Sequence, residues 1–394
     1  MSKDVKNVPA LRFKGYSDAW EKRKLGELAE FINGRAYKQD ELLASGKYPV
    51  LRVGNFYTND KWYYSNLELP EKYYAEEGDL LYTWSATFGP HIWIGPKVIY
   101  HYHIWKVALK NIFEKDFALQ FFEADRVRLL NSTNGSTMIH VTKKDMESKG
   151  ILLPDVYEQR TIGDLLKRVD HLIAATQDKI DALEQAKRAL LQRLFDQSWR
   201  FKGYSDPWEK RKLSEVTNLI TKGTTPREKG GRGEVNFIKV ENLSKNGNIF
   251  TTSKVSVSEH QGYLARSILQ ENDILFSIAG SLGRTAIVPK LVLPANTNQA
   301  LAIIRLSTGC VEFVATYLSG EAIDRYIRRN PTVGAQPNIS LTQVASLQID
   351  WPSLHEQEVI SKLFARVKDL IAATQSRLSS LELLKKALLQ DLFI

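Results

Sequence analysis

"PDVYEQRTIGDLLKRVDHLIAATQDKIDALEQAKRALLQRLF", Pro154–Phe195, returns 198 residues later as "PSLHEQEVISKLFARVKDLIAATQSRLSSLELLKKALLQDLF", Pro352–Phe393. Steps of three and four through the first copy meet Leu166, Val169, Ile173, Thr176, Ile180, Leu183, Lys187, Leu190 and Leu194. The same steps through the second meet Phe364, Val367, Ile371, Thr374, Leu378, Leu381, Lys385, Leu388 and Leu392. An apolar seam kept over about four heptads predicts a pair of long helices joined as a coiled coil. The helix starts are marked by Asp155 with Glu158 and by Ser353 with Glu356, the spacing of a capping box, so Glu158-Gln159 and Glu356-Gln357 read as caps. Full antiparallel overlap would set Lys385 beside residue 165 and Lys187 beside residue 363.

Outward from the helices, a second phrase is copied. "RFKGYSDAWEKRKL", Arg12–Leu25, recurs as "RFKGYSDPWEKRKL", Arg200–Leu213, with one change in fourteen positions. Each half is therefore an opening phrase, a middle and a closing helix, and internal duplication of this kind sets the architecture. The division expected is a module over 1–155, a helix over 156–198, a module over 199–351 and a helix over 352–394. The middles read as mixed α/β, with an amphipathic helix over "LGELAEFI" and "LSEVTNLI", then strands in "YPVLRVGNF", "NFIKVENL", "DILFSI" and "ALAIIRL". They align in outline, "VLRVGNF" against "FIKVENL" and "GDLLYTWSATFGPHIWI" against "NDILFSIAGSLGRTAIV", while their polar residues differ almost everywhere. Copied brackets around divergent contents point to two modules mounted alike that recognise different things.

The chain carries a net charge of +9, of which the third segment holds +6 (19 basic minus 13 acidic residues). That balance favours a polyanionic partner. No apolar run approaches the ~18 residues of a membrane span. "MSKDVKNVPALRF" is too charged for a secretory signal, so the address expected is the cytoplasm. Cys310 is the single cysteine, which excludes a disulfide framework and a multi-cysteine metal site.

Catalytic fingerprints are missing. Neither GxxxxGK[ST] nor GxGxxG occurs, nor the Asp/Asn/Ser-Pro-Pro-Tyr/Phe run of an amino-methyltransferase. Glu147-Ser148-Lys149 has the Glu-x-Lys spacing of many metal-dependent nucleases but lacks an upstream Pro-Asp. His101 and His103 would share a strand face, but no third metal ligand accompanies them. No catalytic residue, metal site or cofactor is assigned to the chain.

The loops offer recognition chemistry instead. "TKGTTPREKGGRG", 221–233, sets Lys222, Thr224, Thr225, Arg227, Lys229 and Arg232 on glycine-rich backbone suited to close approach to phosphates. Lys239, Arg284 in "AGSLGRTA", and Asn296, Asn298 and Gln299 in "PANTNQA" complete the second module's candidates. Arginine pairs bidentately with guanine, and asparagine or glutamine with adenine. The first module's set is more aromatic: Arg35, Lys38, Arg52, Asn55, Trp84, Ser85 and His91.

On the order module, helix, module, helix, and on "RFKGYSDAWEKRKL", "KGTTP", "GDLLYTWSATFG", "NDILFSIAGSLGRTA", "LPDVYEQ" and "WPSLHEQ", the chain resembles the specificity subunits of type I restriction–modification enzymes. The likeness runs over essentially the whole length. The first module departs from it in having "NGRAYKQD" where the second has its Gly-Thr-Thr-Pro loop. The resemblance implies an α/β fold of two target-recognition domains separated by a pair of long helices, an antiparallel coiled coil in a pseudo-twofold arrangement. It implies a non-catalytic subunit that reads an asymmetric bipartite site in double-stranded DNA, the helices acting as ruler and as dock for two methyltransferase subunits. Those partners would hold S-adenosylmethionine for adenine-N6 methylation, and restriction/translocase subunits would use ATP and Mg²⁺. Helices of about forty residues at ~1.5 Å each span roughly 60 Å, enough to hold two modules on successive major-groove faces about 34 Å apart. Two rival readings stay open: a nuclease or methyltransferase acting alone, and a duplicated protein-binding scaffold with no affinity for DNA.

Overall fold

A computed structural model describes residues 7–393 apart from 58, 86, 133–140, 228–232, 245 and 330–337. The chain divides into two compact units, Met1–Gln177 with Ser376–Ile394, and Asp178–Gln375. Each therefore holds one module with part of each long helix.

The strands of the first unit are β1 (Glu21–Lys24), β2 (Ala29–Asn33), β3 (Tyr48–Leu51), β4 (Tyr63–Ser65) and β5 (Tyr74–Ala75). They continue with β6 (Leu80–Thr83), β7 (Gly89–Ile92), β8 (Val98–Tyr100), β9 (Ile104–Leu109) and β10 (Gly150–Leu153). Its helices are α1 (Leu25–Leu28), α2 (Lys115–Ser132), α3 (Lys143–Ser148) and the start of α4 (Val156–Phe195). One sheet is ordered β2-β9-β6-β7 and a second β4-β3-β8-β5, with β3 and β8 parallel. Side chains alternate across a strand, so β6 faces two ways. Leu80 and Tyr82 pack with Phe117 and Phe122 of α2, while Leu81 packs with Leu51 and Tyr100 of the second sheet. The unit is layered helix, sheet, sheet.

The second unit repeats this plan. It contains β11 (Glu209–Lys212), β12 (Thr217–Lys222), β13 (Val235–Ile238), β14 (Ser253–Val255) and β15 (Ile274–Ser277). After these come β16 (Thr285–Ile287), β17 (Ala295–Thr297), β18 (Leu301–Leu306) and β19 (Gln348–Trp351). The helices are α5 (Val257–Gln261), α6 (Val311–Leu318), α7 (Glu321–Arg329), α8 (Leu341–Ala345) and α9 (Leu354–Leu392). The sheets run β12-β18-β15-β16 and β14-β13-β17, with β13 and β17 parallel. Ile274 and Phe276 pack with Phe313 of α6, while Leu275 packs with Ile238 and Ile303. The expected alignment of the two middles holds down to a turn: Asn55 Oδ1 accepts from Arg52 N at 3.0 Å, as Asn242 Oδ1 does from Lys239 N at 2.9 Å.

One expected element is shorter. Of "LGELAEFI" only Leu25–Leu28 is helical, and Ala29 is already extended at φ −147° and ψ 152°. In the second unit Leu213–Glu215 is a single 3-10 turn before β12. The spacing of Leu25, Leu28 and Phe31 suits a helix, but the ladder from β2 to β9 and the alternate burial of Ala29 and Phe31 decide for a strand.

The copied phrase has two tasks. Its second half is the strand that pairs with the last strand of the module, β1 with β10 and β11 with β19, both antiparallel. Its first half clasps the long helix. Arg12 donates to Glu158 from Nε and Nη2, both at 2.7 Å, and Trp20 Nε1 donates to the same carboxylate at 3.1 Å. Arg200 and Trp208 hold Glu356 likewise, at 3.0, 2.7 and 3.1 Å. Capping therefore falls to Asp155 and Ser353 alone, which accept from the backbone N–H groups of Glu158 and Glu356. The two glutamates, expected as reciprocal caps, are buried counter-ions. Gln159 and Gln357 also leave the cap: they accept from Glu114 N and Cys310 N, tying the helix to the loop before α2 and α6.

Along α4 and α9 every seam position named from the sequence is buried or half-buried, and most of the residues between are exposed. Thr176 and Thr374 donate their hydroxyls to the carbonyls of Leu172 and Leu370. Within the first unit Lys385 pairs with Asp170 at 2.6 Å, not with residue 165, so the register lies five residues from full overlap. The equivalent residues in the second unit are Lys187 and Lys368 (385 − 198 and 170 + 198), a like-charged pair. Burial, and then the charge of Lys187, hold the Lys368 ammonium below lysine's usual pKa. The unfolded chain then binds more protons than the folded one, so stability of this unit rises as pH climbs toward lysine's ordinary range. Lys368→Asp is expected to recreate the ion pair of the first unit and to stabilise the second by about 0.5–1 kcal/mol. A denaturation midpoint that falls would show that the two amines do not meet.

Candidate nucleic-acid interface

In each unit three connections meet at one end of the first sheet, and a glycine lets them meet. After β2, Gly34 donates to Ile104 O at 3.0 Å and Arg35 N to Tyr100 O at 3.1 Å. After β12, Gly223 donates to Leu301 O at 3.2 Å and Thr224 N to Thr297 O at 2.9 Å. A Cβ on Gly34 would stand 2.4 Å from His101 O, and one on Gly223 would stand 2.1 Å from Asn298 O. The first module lacks the Gly-Thr-Thr-Pro spelling, yet its "NGRAY" makes the same turn. The β8–β9 connection His101-Tyr102-His103 is thereby the counterpart of the β17–β18 connection Asn298-Gln299-Ala300. The ends of β6 and β15 close the two groups, with Trp84 N donating to His103 O at 3.2 Å and Ile278 N to Ala300 O at 2.9 Å.

Equivalent positions carry different chemistry. In the first unit they form an aromatic surface: Trp84 stacks on Trp105, meets His103 edge-on, and donates Nε1 to Tyr102 O at 2.9 Å. His101 lies against Tyr102 and His103, ring centroids 4.5 and 5.0 Å away. Burial, His103 and Arg52 push His101 down to about 4, so it is neutral near pH 7. Ser85 follows Trp84, half-buried. Arg35 is held by Glu41 in a two-pronged pair and lies over Tyr37. Exposed Lys38 opens the turn that Glu41 caps.

Arg52, Asn55 and His91 serve the neighbouring turn. Arg52 lies over Tyr63 at 5.3 Å, and Asn55 donates its amide to Asn59 O and Lys61 O. His91 stacks on Phe56 at 4.1 Å and bonds Tyr57 Oη at 3.1 Å, with burial holding its pKa down to about 4. Asn55 and His91, expected to face a ligand, are thus engaged in holding the fold. Lys149 of the Glu-x-Lys triplet pairs with Asp125, while Glu147 lies 3.5 Å from Lys143.

The second unit gathers Lys222, Thr224, Thr225, Arg227, Asn298 and Gln299 on one polar, cationic surface. Lys222, Thr225, Arg227 and Gln299 are exposed. Arg227 lies 3.9 Å over the Tyr263 ring, and its N–H donates to Glu259. Asn298 Oδ1 accepts from Ala300 N at 3.3 Å. Asn296 corrects the sequence expectation. It is wholly buried, donating to Leu264 O and Ser267 and meeting His260 Nδ1 at 2.6 Å, so it braces the loop from within and offers nothing to a base. Arg284 spends Nη1 on Leu243 O and Val240 O, and Lys239 lies 3.6 Å from Glu241, so both belong to the turn after β13. Lys229 and Arg232 lie outside the described residues.

Two residues were missed, Tyr263 and Arg266. Both are exposed on the turn after α5, and Arg266 Nε donates to Thr224 Oγ1 at 3.1 Å. Their only signal in sequence is a tyrosine and an arginine three apart in a polar stretch, which marks any surface turn. Among the described residues no group of three His, Cys, Asp or Glu is placed to hold a metal, and no helix is long and apolar enough to cross a membrane.

Comparison with known proteins places this geometry. The family described as type I restriction modification DNA specificity domain matches residues 17–185 and again 205–383. The type I restriction enzyme MjaVIII specificity subunit of Methanocaldococcus jannaschii is 23% identical over 389 residues, covering 94% of this chain and 91% of that protein. The EcoBI specificity subunit of Escherichia coli is 22% identical over 390 residues, covering 91% and 81%. Among solved structures, the S subunit of a type I restriction–modification system from M. genitalium superposes with a TM-score of 0.62 at 16% identity, over 98% of this chain and 99% of that one. A chain from a structure of type I complex assembly and conformational transition gives 0.56 at 16% identity, over 94% and 96%.

Proposed function

The chain belongs to the type I restriction–modification DNA specificity family, and from that premise we propose that it reads an asymmetric, bipartite site in double-stranded DNA, one half per module. The observation that carries this is the pair of equivalent loop clusters, built on one frame through Gly34 and Gly223 and filled with unlike side chains. A shared frame gives both modules the same approach to a duplex, while unlike contents give two different half-sites separated by unread base pairs. The long helices set the separation and dock two methyltransferase subunits, and through them restriction subunits. Catalysis and its cofactors, S-adenosylmethionine, ATP and Mg²⁺, belong to those partners, and this chain supplies only recognition. The complex acts on cytoplasmic DNA.

Cations at the rim of such a site neutralise phosphates and release counterions, which makes affinity fall steeply with salt. Lys222→Ala with Arg227→Ala is expected to weaken duplex binding and to flatten the plot of log affinity against log salt by about 1 for each phosphate no longer neutralised. Titrations of a labelled duplex at several salt concentrations read this slope. An unchanged slope would remove both residues from the interface.

A further inference from the structure

The two threonines of the "KGTTP" loop do different work from the cations beside them. Thr224 Oγ1 accepts from Arg266 Nε at 3.1 Å, and the Thr225 hydroxyl donates to Gln299 Oε1. Each therefore fixes one long, exposed polar side chain that arrives from a different connection: Arg266 from the turn after α5, Gln299 from the β17–β18 loop. The loop itself is held by Gly223, which has no room for a side chain, and by the bond from Thr224 N to Thr297 O at 2.9 Å. We propose that Arg266 and Gln299 are specificity-determining residues of the second module, reading base edges, and that Thr224 and Thr225 are their positioning residues. The proposal rests on the DNA-reading function above.

The chemistry left open supports it. With Nε used, the Arg266 guanidinium keeps both terminal nitrogens, the end-on fork that matches guanine O6 and N7. No ion pair to a described residue occupies that fork. Among the described residues Gln299 Oε1 takes one hydrogen bond, from Thr225, and keeps its second lone pair, while Nε2 keeps both hydrogens. That is the acceptor–donor pair which adenine N6 and N7 require. Long side chains lose rotamer freedom on binding, and one hydroxyl bond to each removes part of that loss beforehand. Arg227, over Tyr263, has no such side-chain tether to a described residue and stays a phosphate contact.

The test selects bound fragments from a randomised duplex library with the full-length chain. Wild type should return a two-part motif. Arg266→Ala should relax preference for a G·C pair in one half, and Gln299→Ala for an A·T pair in the same half, each by roughly five- to hundredfold. The other half stays as it was. Arg266→Lys keeps the charge but replaces the planar fork by a point donor, so it should weaken the preference while keeping the salt slope. Thr225→Val should act as Gln299→Ala does, and Thr225→Ser, which keeps the hydroxyl, should restore the preference. A motif unchanged by Arg266→Ala and Gln299→Ala overturns the assignment and leaves the DNA-reading function standing. A salt slope reduced by about 1 in Arg266→Ala, with the G·C preference unchanged, makes Arg266 a phosphate contact and also overturns it. No enriched motif from wild type would overturn the underlying function and this assignment together.

Discussion

Arg12→Ala is expected to destabilise the first unit by about 3–5 kcal/mol, because it strands a buried carboxylate. The Glu158 side chain is 1% exposed and that of Arg12 14%, so the carboxylate is shut off from water and depends on the partner that covers it. Without the guanidinium, Glu158 keeps one hydrogen bond to a side chain of the opening phrase, from Trp20 Nε1. That single neutral donor does not offset the desolvation of a carboxylate. The cost is that of an orphaned charge, not the worth of the pair. Arg12→Leu combined with Glu158→Leu should therefore lose far less than Arg12→Ala alone. Arg200→Ala should repeat the effect in the second unit, where Glu356 is 2% exposed. Denaturant titrations of the four proteins decide this, and a loss below about 1 kcal/mol for Arg12→Ala would mean that the clasp is incidental.

Gly223→Ala is expected to remove reading by the second module and to leave the first module's half-site intact. The added Cβ would lie 2.1 Å from the carbonyl oxygens of both Thr297 and Asn298, and a backbone atom cannot swing aside as a side chain does. Overpacking of this kind ordinarily costs about 1–3 kcal/mol and here displaces the loop that carries Thr224 and Thr225. Gly34→Ala, 2.4 Å from His101 O, should do the converse. Selection from a randomised duplex library should return each variant with one half of its motif degraded. Loss of both halves from either substitution would contradict independent modules.

Much of this was legible in the chain. The seam from Leu166 to Leu194, and its copy from Phe364 to Leu392, follow from periodicity alone, and burial along both helices keeps to it. The strand β15 was equally plain, because "DILFS" is a short apolar run bounded by turn residues, and β6 follows from the alignment of "GDLLYT" with it. What periodicity does not reach is contact across the chain. Arg12 meets Glu158 over 146 residues, so no local pattern distinguished that glutamate from a capping residue. Register escaped for a related reason: a seam tells which faces meet, but the pairing of Lys385 with Asp170 depends on how α2 and the end of α9 pack in the first core. Among the residues expected to read bases, Asn296 and Gln299 are alike as sequence. Only the turn at Gly223 and the position of α5 put one inside and the other out. Arg266 and Tyr263 were invisible because their significance comes from Thr224 and Arg227, some forty residues earlier in the chain.

If one frame carries two independent readers, exchanging one module should change one half-site alone. In the exchange, Gly26–Lys149 is replaced by the corresponding module of another specificity subunit, keeping the opening phrase with Arg12 and Trp20, the strand β1 and the helix with Glu158. The chimera is then used to select fragments from a randomised duplex library. One half-site is expected to take on new bases, while the other half and the number of unread base pairs stay as in the parent. A motif altered in both halves, or altered in neither, would show that the modules do not read independently.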